Sequence, residues 1–432
     1  MAQNTRGSLG ELVTTMSAAR PTASELFAVV QGVGPARYSD DVGFDMRSIS
    51  IAAGRALAAD DLLKDSEGTA FVLDLLADRG VALPGWDEAA VPAHAPATIG
   101  ETAAIARSVS LAGISVVQAG FDEDGRLVRL ATTAGEIGPP VREPVDVMLE
   151  ERINRWANDF PYAYGIDENT TNLFYTTTAD LRLSELPDGP VVIAADASFQ
   201  VFPPNLLFVD GEFAGRTRPM AATPSLAWLG RARERAFIGD GRMCAWISTA
   251  SGGEGQTLPM IAERLKPTFE EYGFVVDNGP VLPGAFAGST LAVVTAHGGV
   301  HPEGRYFQVV SNEGVLRVTA ADLANALRNI GVVVLFVCSG GRVDKHPAAN
   351  TTLGLAKQIV DRGCSAVVAS AWPLDARVPS HWLPTFLERW TQGATLIRAN
   401  FDANQIVDRQ FAQDPARGLA MTVFGNPLLS LP

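Results

Sequence analysis

Two very apolar runs constrain this chain's fold more than any other feature. Residues 291–296 read Leu-Ala-Val-Val-Thr-Ala and stop at His297-Gly298-Gly299. Residues 331–337 read Gly-Val-Val-Val-Leu-Phe-Val and stop at Cys338-Ser339-Gly340-Gly341. Each run has the length of a strand and lacks polar alternation, so both of its faces must be buried. That is the pattern of a parallel sheet covered by helices. In such a sheet both polar residues emerge at the carboxyl edge, where open α/β folds gather their chemistry.

The 432 residues suffice for at least one large core, and their length suggests two or three units. Hydrophobic residues make up 47% and charged residues 19%, a globular balance. The net charge of −14 disfavours a nucleic-acid surface or an anionic membrane surface as the main partner, because phosphates need a basic field. Three cysteines at irregular spacing (Cys244, Cys338, Cys364) form neither a disulfide framework nor a zinc motif. The N-terminus has no apolar signal core, and no stretch has the roughly 18 to 20 unbroken apolar residues of a spanning helix. A cytoplasmic protein without membrane insertion is expected.

The chain is expected to divide into an N-terminal helical accessory or regulatory region (1–110) and a main domain (111–432). The latter splits into a subregion over 111–240 and a core over 241–432. Ala and Leu at helical spacing predict helices over 46–59 and 68–79. Pro and Ala over 84–96 read as a linker. Residues 114–119 and 127–132 flank an acidic, glycine-containing turn, which predicts a hairpin. A helix is expected over about 145–158 and a strand over 191–194. From residue 243 strands alternate with helices: strands over 243–248, 274–276, 291–295, 332–337 and 366–369, and helices over 258–272, 320–328, 353–362, 381–390 and about 397–411. This alternation predicts a mostly parallel central sheet flanked by helices.

An imidazole and a thiol emerging side by side at one sheet edge can act as acid/base partner and thiolate nucleophile. The pair predicts a cysteine peptidase with Cys338 as nucleophile and His297 as general acid/base. The glycines after Cys338 would allow a substrate backbone to approach. Such chemistry needs no metal or organic cofactor. His301, four residues after His297, has no third ligand in view and reads as a loop residue. Cys244 and Cys364 read as core thiols. Gly252-Gly-Glu-Gly-Gln-Thr lacks the Lys-Ser/Thr of a phosphate loop and reads as a flexible turn.

The order of these pieces resembles the caspase-like CHAT peptidases of bacteria, relatives of separase, over residues 112–432. Leu186-Pro-Asp-Gly, Pro203 and Pro224-Ser-Leu are the upstream marks, followed by His297-Gly298 and Cys338-Ser-Gly-Gly. Gly354-Leu-Ala, the run from Gly363 through Ser370-Ala-Trp372-Pro-Leu-Asp375, and Phe424-Gly-Asn-Pro come next, again in the family's order. The family usually carries an acidic residue after its cysteine, where this chain has Ser339, and no tetratricopeptide array precedes the domain.

The resemblance implies a caspase-hemoglobinase-like fold and cleavage of a protein substrate. In it, His297 protonates the leaving amine, and the amides of Gly298 and Cys338 form an oxyanion hole. It also implies an S1 wall near Trp372 and Asp375. Asp375 would there receive a basic P1 residue or remain a solvated carboxylate, and Phe336 would make the pocket more apolar. Such proteins often serve regulated bacterial defence, including antiviral defence, or cell death. They are held by an activator or inhibitory partner, and their substrate is often encoded nearby. Two rivals stand beside this reading: a catalytically silent scaffold or binding module on the same fold, and a nucleotide-binding regulator that uses the amides of Gly252 to Gly255.

Overall fold

The computed structural model describes residues 20–83, 91–144, 149, 151–153, 156, 174, 182–235, 239–249, 257–279, 282, 284–300, 307–310 and 317–431. The chain opens with helices α1 (Ala23–Val30), α2 (Ser39–Leu57), α3 (Ser66–Leu76) and α4 (Gly100–Leu111). Thr22 and Glu25 form a reciprocal capping box on α1, and the Asp65 carboxylate caps α3. Strands β1 (Ser115–Phe121) and β2 (Leu127–Thr133) form the predicted antiparallel hairpin. Then come β3 (Val191–Ala195), β4 (Met220–Thr223) and α5 (Leu226–Glu234).

The βα alternation follows with β5 (Met243–Ser248), α6 (Thr257–Glu271), β6 (Val275–Gly279), β7 (Leu291–Ala296), α7 (Ala320–Ala326) and β8 (Val332–Val337). The chain continues through α8 (Leu355–Asp361), β9 (Ala366–Ala369), α9 (Val378–Thr391), α10 (Leu396–Gln410) and β10 (Thr422–Gly425).

Among the described residues these strands build one twelve-stranded sheet, in the order β6-β5-β7-β8-β9-β10-β4-β3-β1-β2 with short pieces at the β2 edge. Pairing is parallel except at β9/β10, at β1/β2 and at the short edge pieces. The antiparallel contact at β9/β10 divides the sheet into two parallel blocks that run in opposite directions. Their carboxyl edges therefore lie on opposite sides of the molecule. Strand β10, from the chain's end, pairs with β4, so the sheet crosses the division expected at residue 240.

Every residue of β7, β8 and β9 is buried, as their unbroken apolar runs require. Helix α9 lies against α6 and α10, and α7 against α8. On α9, Trp382, Phe386 and Trp390 recur every four residues and stack, with ring centroids 4.5 and 5.7 Å apart.

The N-terminal helices share a core with Val128 and Leu130 of β2. The Asp74 carboxylate accepts hydrogen bonds from the backbone amides of Leu226 and Ala227, at the start of α5, and from the Arg79 guanidinium at 2.6 Å. Asp74 and Arg79 are fully buried. Arg79 also donates to the carbonyls of Ala93 and His94. His94 is buried and bonds the Val81 carbonyl at 2.8 Å, and Ala36 and Val91 form an antiparallel bridge. The described part of the expected linker, 91–96, is therefore packed structure, because its carbonyls satisfy a buried guanidinium. The helix expected over 145–158 lies largely outside the described residues. Among the described residues no helix is long and apolar enough to cross a membrane.

Candidate active site

In the parallel ladder of β7 and β8, Ala296 is the partner of Val337. The next residues on the two strands are His297 and Cys338. They therefore leave the sheet side by side, on strands about 4.8 Å apart. Both are partly exposed at this edge. Gly298 begins a short strand (Gly298–Val300) that pairs antiparallel with Phe307–Val310, which in turn pairs with Arg317–Thr319. The main sheet thus gives way to a small separate one at His297.

Cys338 begins a tight turn. Ser339 has φ of +58°, a left-handed conformation that a non-glycine residue adopts only when its surroundings enforce it. The enforcing bonds are present. The Ser339 amide donates to the Trp372 carbonyl at 3.1 Å, and that of Gly341 to the Ser370 carbonyl at 2.8 Å. The Gly340 and Arg342 amides close the turn onto Val337 and Ser339. A Cβ on Gly341 would stand 2.9 Å from the Ala369 carbonyl oxygen. That glycine is thus required by the approach of the turn to β9, a role sequence reasoning had given to substrate access. Ser370 was missed as well. Its hydroxyl donates to the Trp372 carbonyl and accepts from the Trp372 amide, shaping the bend that receives the cysteine turn. The serine two residues before the tryptophan was its only sequence signal.

The three cysteines differ in environment. Cys244 and Cys364 are buried, and Cys338 is partly exposed. Burial pushes the Cys364 thiol up to about 12, and its S–H donates to the Leu327 carbonyl at 2.8 Å. Burial raises Cys244 too. Neither of these thiols is poised to ionise near neutral pH.

The three residues expected to shape S1 do not converge. Phe336 is buried in the core, with its ring 5.9 Å from that of Trp382. Trp372 is fully buried in a different hydrophobic cluster, edge-on to Phe174, and its indole N–H donates to the Ala416 carbonyl at 2.8 Å. Asp375 is occupied by two arginines. Arg377 donates through its backbone amide, Nε and Nη2, and Arg417 donates through Nε at 2.7 Å. Burial alone would raise the Asp375 pKa, but these bonds outweigh it and hold the carboxyl well below the usual range. Asp375 is therefore no empty receptor for a basic side chain, and Trp372 and Phe336 are core residues. Gly252, Gly253, Glu254 and Gly255, and His301, lie outside the described residues. Among the described residues no group of three His, Cys, Asp or Glu could hold a metal ion.

Residues 290–407 match the family model of the CHAT domain, a stretch that contains both His297 and Cys338. No curated protein matches the chain. Two structures of the Saccharomyces cerevisiae separase–securin complex are similar over nearly the whole chain. At 2.6 Å resolution the TM-score is 0.52 over 94% of this chain with 10% identity, and at 3.0 Å it is 0.51 over 98% with 12% identity. This chain spans 37% and 39% of those chains. The Arg-specific cysteine proteinase gingipain R is similar at a TM-score of 0.37 with 14% identity, over 66% of this chain and 75% of that one. Residues 290–407 thus match the CHAT domain, and the chain as a whole is similar in fold to separase. At such identities the likeness is one of fold.

Proposed function

We propose that this chain is a cysteine endopeptidase. Cys338 attacks the substrate carbonyl as a thiolate and forms a thioester, while His297 gives a proton to the leaving amine. Water then hydrolyses the thioester and regenerates the thiol. The backbone amides of Gly298 and Cys338 are the proposed oxyanion donors, each typically worth about 2.7–4 kcal/mol in such sites. The observation that carries this reading is the Ala296–Val337 register, which sets an imidazole beside the one partly exposed thiol of the chain.

A basic P1 residue is not part of the proposal, since Asp375 is neutralised by Arg377 and Arg417. The substrate is proposed to be a protein, with cleavage serving a regulated defence or cell-death response in the cytoplasm. The separase structures are complexes with securin. By that likeness, a protein partner that holds the site is proposed for this chain as well.

Mapping of new protein N-termini in cells expressing wild type or Cys338→Ala tests the reading. Cleavage products that depend on Cys338 are expected, and identical N-termini in both cultures would contradict it.

A further inference from the structure

The segment that follows Cys338 is not a loose surface loop. It runs from the carboxyl edge of β8 across to the opposite edge of the sheet, where Lys345 Nζ donates to Ser198 Oγ at 2.6 Å, just past β3. There the N-terminal helices take it up. The Asn350 amide donates to the Gly43 carbonyl at 2.9 Å, and Arg47 donates to the Ala348 carbonyl at 3.1 Å. The Phe44 ring meets the His346 ring edge-on at 5.4 Å. Helix α2 comes so close that a Cβ on Gly43 would stand 2.9 Å from Thr351 Cβ.

One carboxylate organises the end of the segment. Asp78 Oδ2 accepts from Thr351 Oγ1 at 2.7 Å, from the Thr352 amide at 3.0 Å and from Thr352 Oγ1 at 3.2 Å, and all three residues are buried. Behind it, Asp361 on α8 accepts from the Ala82 amide and from Ser39 Oγ, each at 3.0 Å, and from Lys357 Nζ at 2.8 Å.

The chain between these anchors and the cysteine turn is short, and the turn itself holds a strained residue at Ser339. We propose that Asp78 is a positioning residue for the catalytic turn: through Thr351 and Thr352 it fixes the segment after Cys338 to the N-terminal helices, so those helices set the reactivity of the thiol. This inference rests on the peptidase reading for its biological meaning. Its physical content, a coupling between Asp78 and Cys338, stands apart from that reading. It also assigns residues 20–83 a task, as part of the machinery that holds the site in shape.

The test is the pH dependence of Cys338 alkylation by iodoacetamide, which needs no peptide substrate. It is compared in wild type, Asp78→Ala, Asp78→Asn and Arg47→Ala, with hydrogen exchange of residues 346–353 followed alongside. Asp78→Ala is expected to slow alkylation at pH 7 at least fivefold and to move its pH midpoint. Asp78→Asn, which keeps an acceptor oxygen, should stay within about twofold of wild type. Arg47→Ala removes only a surface anchor, so it remains decisive should Asp78→Ala fail to fold. It should speed exchange at 346–353 and shift the Cys338 rate in the same direction as Asp78→Ala. Faster exchange with an unchanged Cys338 rate and midpoint would overturn the proposal, as would unchanged exchange in every folded variant. A wild type that alkylates normally but cleaves nothing and takes no peptide probe would sink the peptidase reading alone.

Discussion

Asp375 accepts hydrogen bonds from Arg377 and Arg417, and Arg417 also pairs with Asp414. The carboxylate is ionised in the fold well below its ordinary pKa, so its stabilising contribution is fully present above about pH 4. That contribution is lost as pH falls through the depressed folded value. Asp375→Asn should therefore lower the melting temperature at pH 7, and the difference from wild type should shrink on acidification; a constant difference from pH 7 to pH 3 would refute this account. Trp372 offers a second check at the same scale. Truncating it to Ala removes a fully buried indole and its bond to Ala416, at a cost of about 3–5 kcal/mol. Chemical denaturation should register that loss, whereas a stable variant with altered peptide preference would restore Trp372 to the specificity wall. Sequence alone could not settle these roles. Arg417 stands 42 residues from Asp375. Phe336 and Trp372 lie at strand ends whose facing is decided by which helices pack there.

At the level of elements, β7, β8 and β9 were legible because a strand buried on both faces must be apolar throughout, and few other elements of that length are. The packed stretch 91–96 was not. Pro and Ala read as a linker, while its structural value lies in backbone carbonyls that receive Arg79. His94 there is buried and its pKa is lowered to about 4, chiefly by burial. The unfolded chain binds a proton near pH 6.5 and the folded chain does not. Stability is therefore present above pH 6.5 and drains away toward pH 4, by roughly 3 kcal/mol if this group acts alone. His94→Gln should flatten the pH dependence of melting in that window, and an unaltered slope would contradict the assignment. The buried pair of Asp74 and Arg79 joins α3 to α5. Arg79→Ala leaves a buried carboxylate uncompensated and should cost about 3–5 kcal/mol in unfolding free energy, whereas a loss under 1 kcal/mol would place the pair outside the core.

For the molecule as a whole, a mostly parallel sheet followed from the alternation of apolar runs and helices, but its division into two opposed blocks did not. Periodicity reports burial and carries no strand direction. The placement of β10 between β9 and β4 is set by long-range pairings, Val367 with Phe424 and Ala222 with Phe424, that no local pattern records. That division puts Ser198, just past the carboxyl end of β3, at the edge opposite Cys338, and the segment after the cysteine reaches it through Lys345. The adjacency of His297 and Cys338 was the most legible part of the site, since it needs only two neighbouring parallel strands that end together.

On the proposed reading, this adjacency makes a working nucleophile. Mass spectrometry of the intact chain after treatment with a peptide chloromethylketone tests it most directly, using wild type, Cys338→Ala and His297→Ala. One adduct per chain is expected at Cys338, none in Cys338→Ala, and labelling slowed by roughly 100-fold in His297→Ala, within the range expected for loss of an acid/base group. Labelling of Cys338 no faster than that of an unfolded thiol, and indifferent to His297, would contradict it.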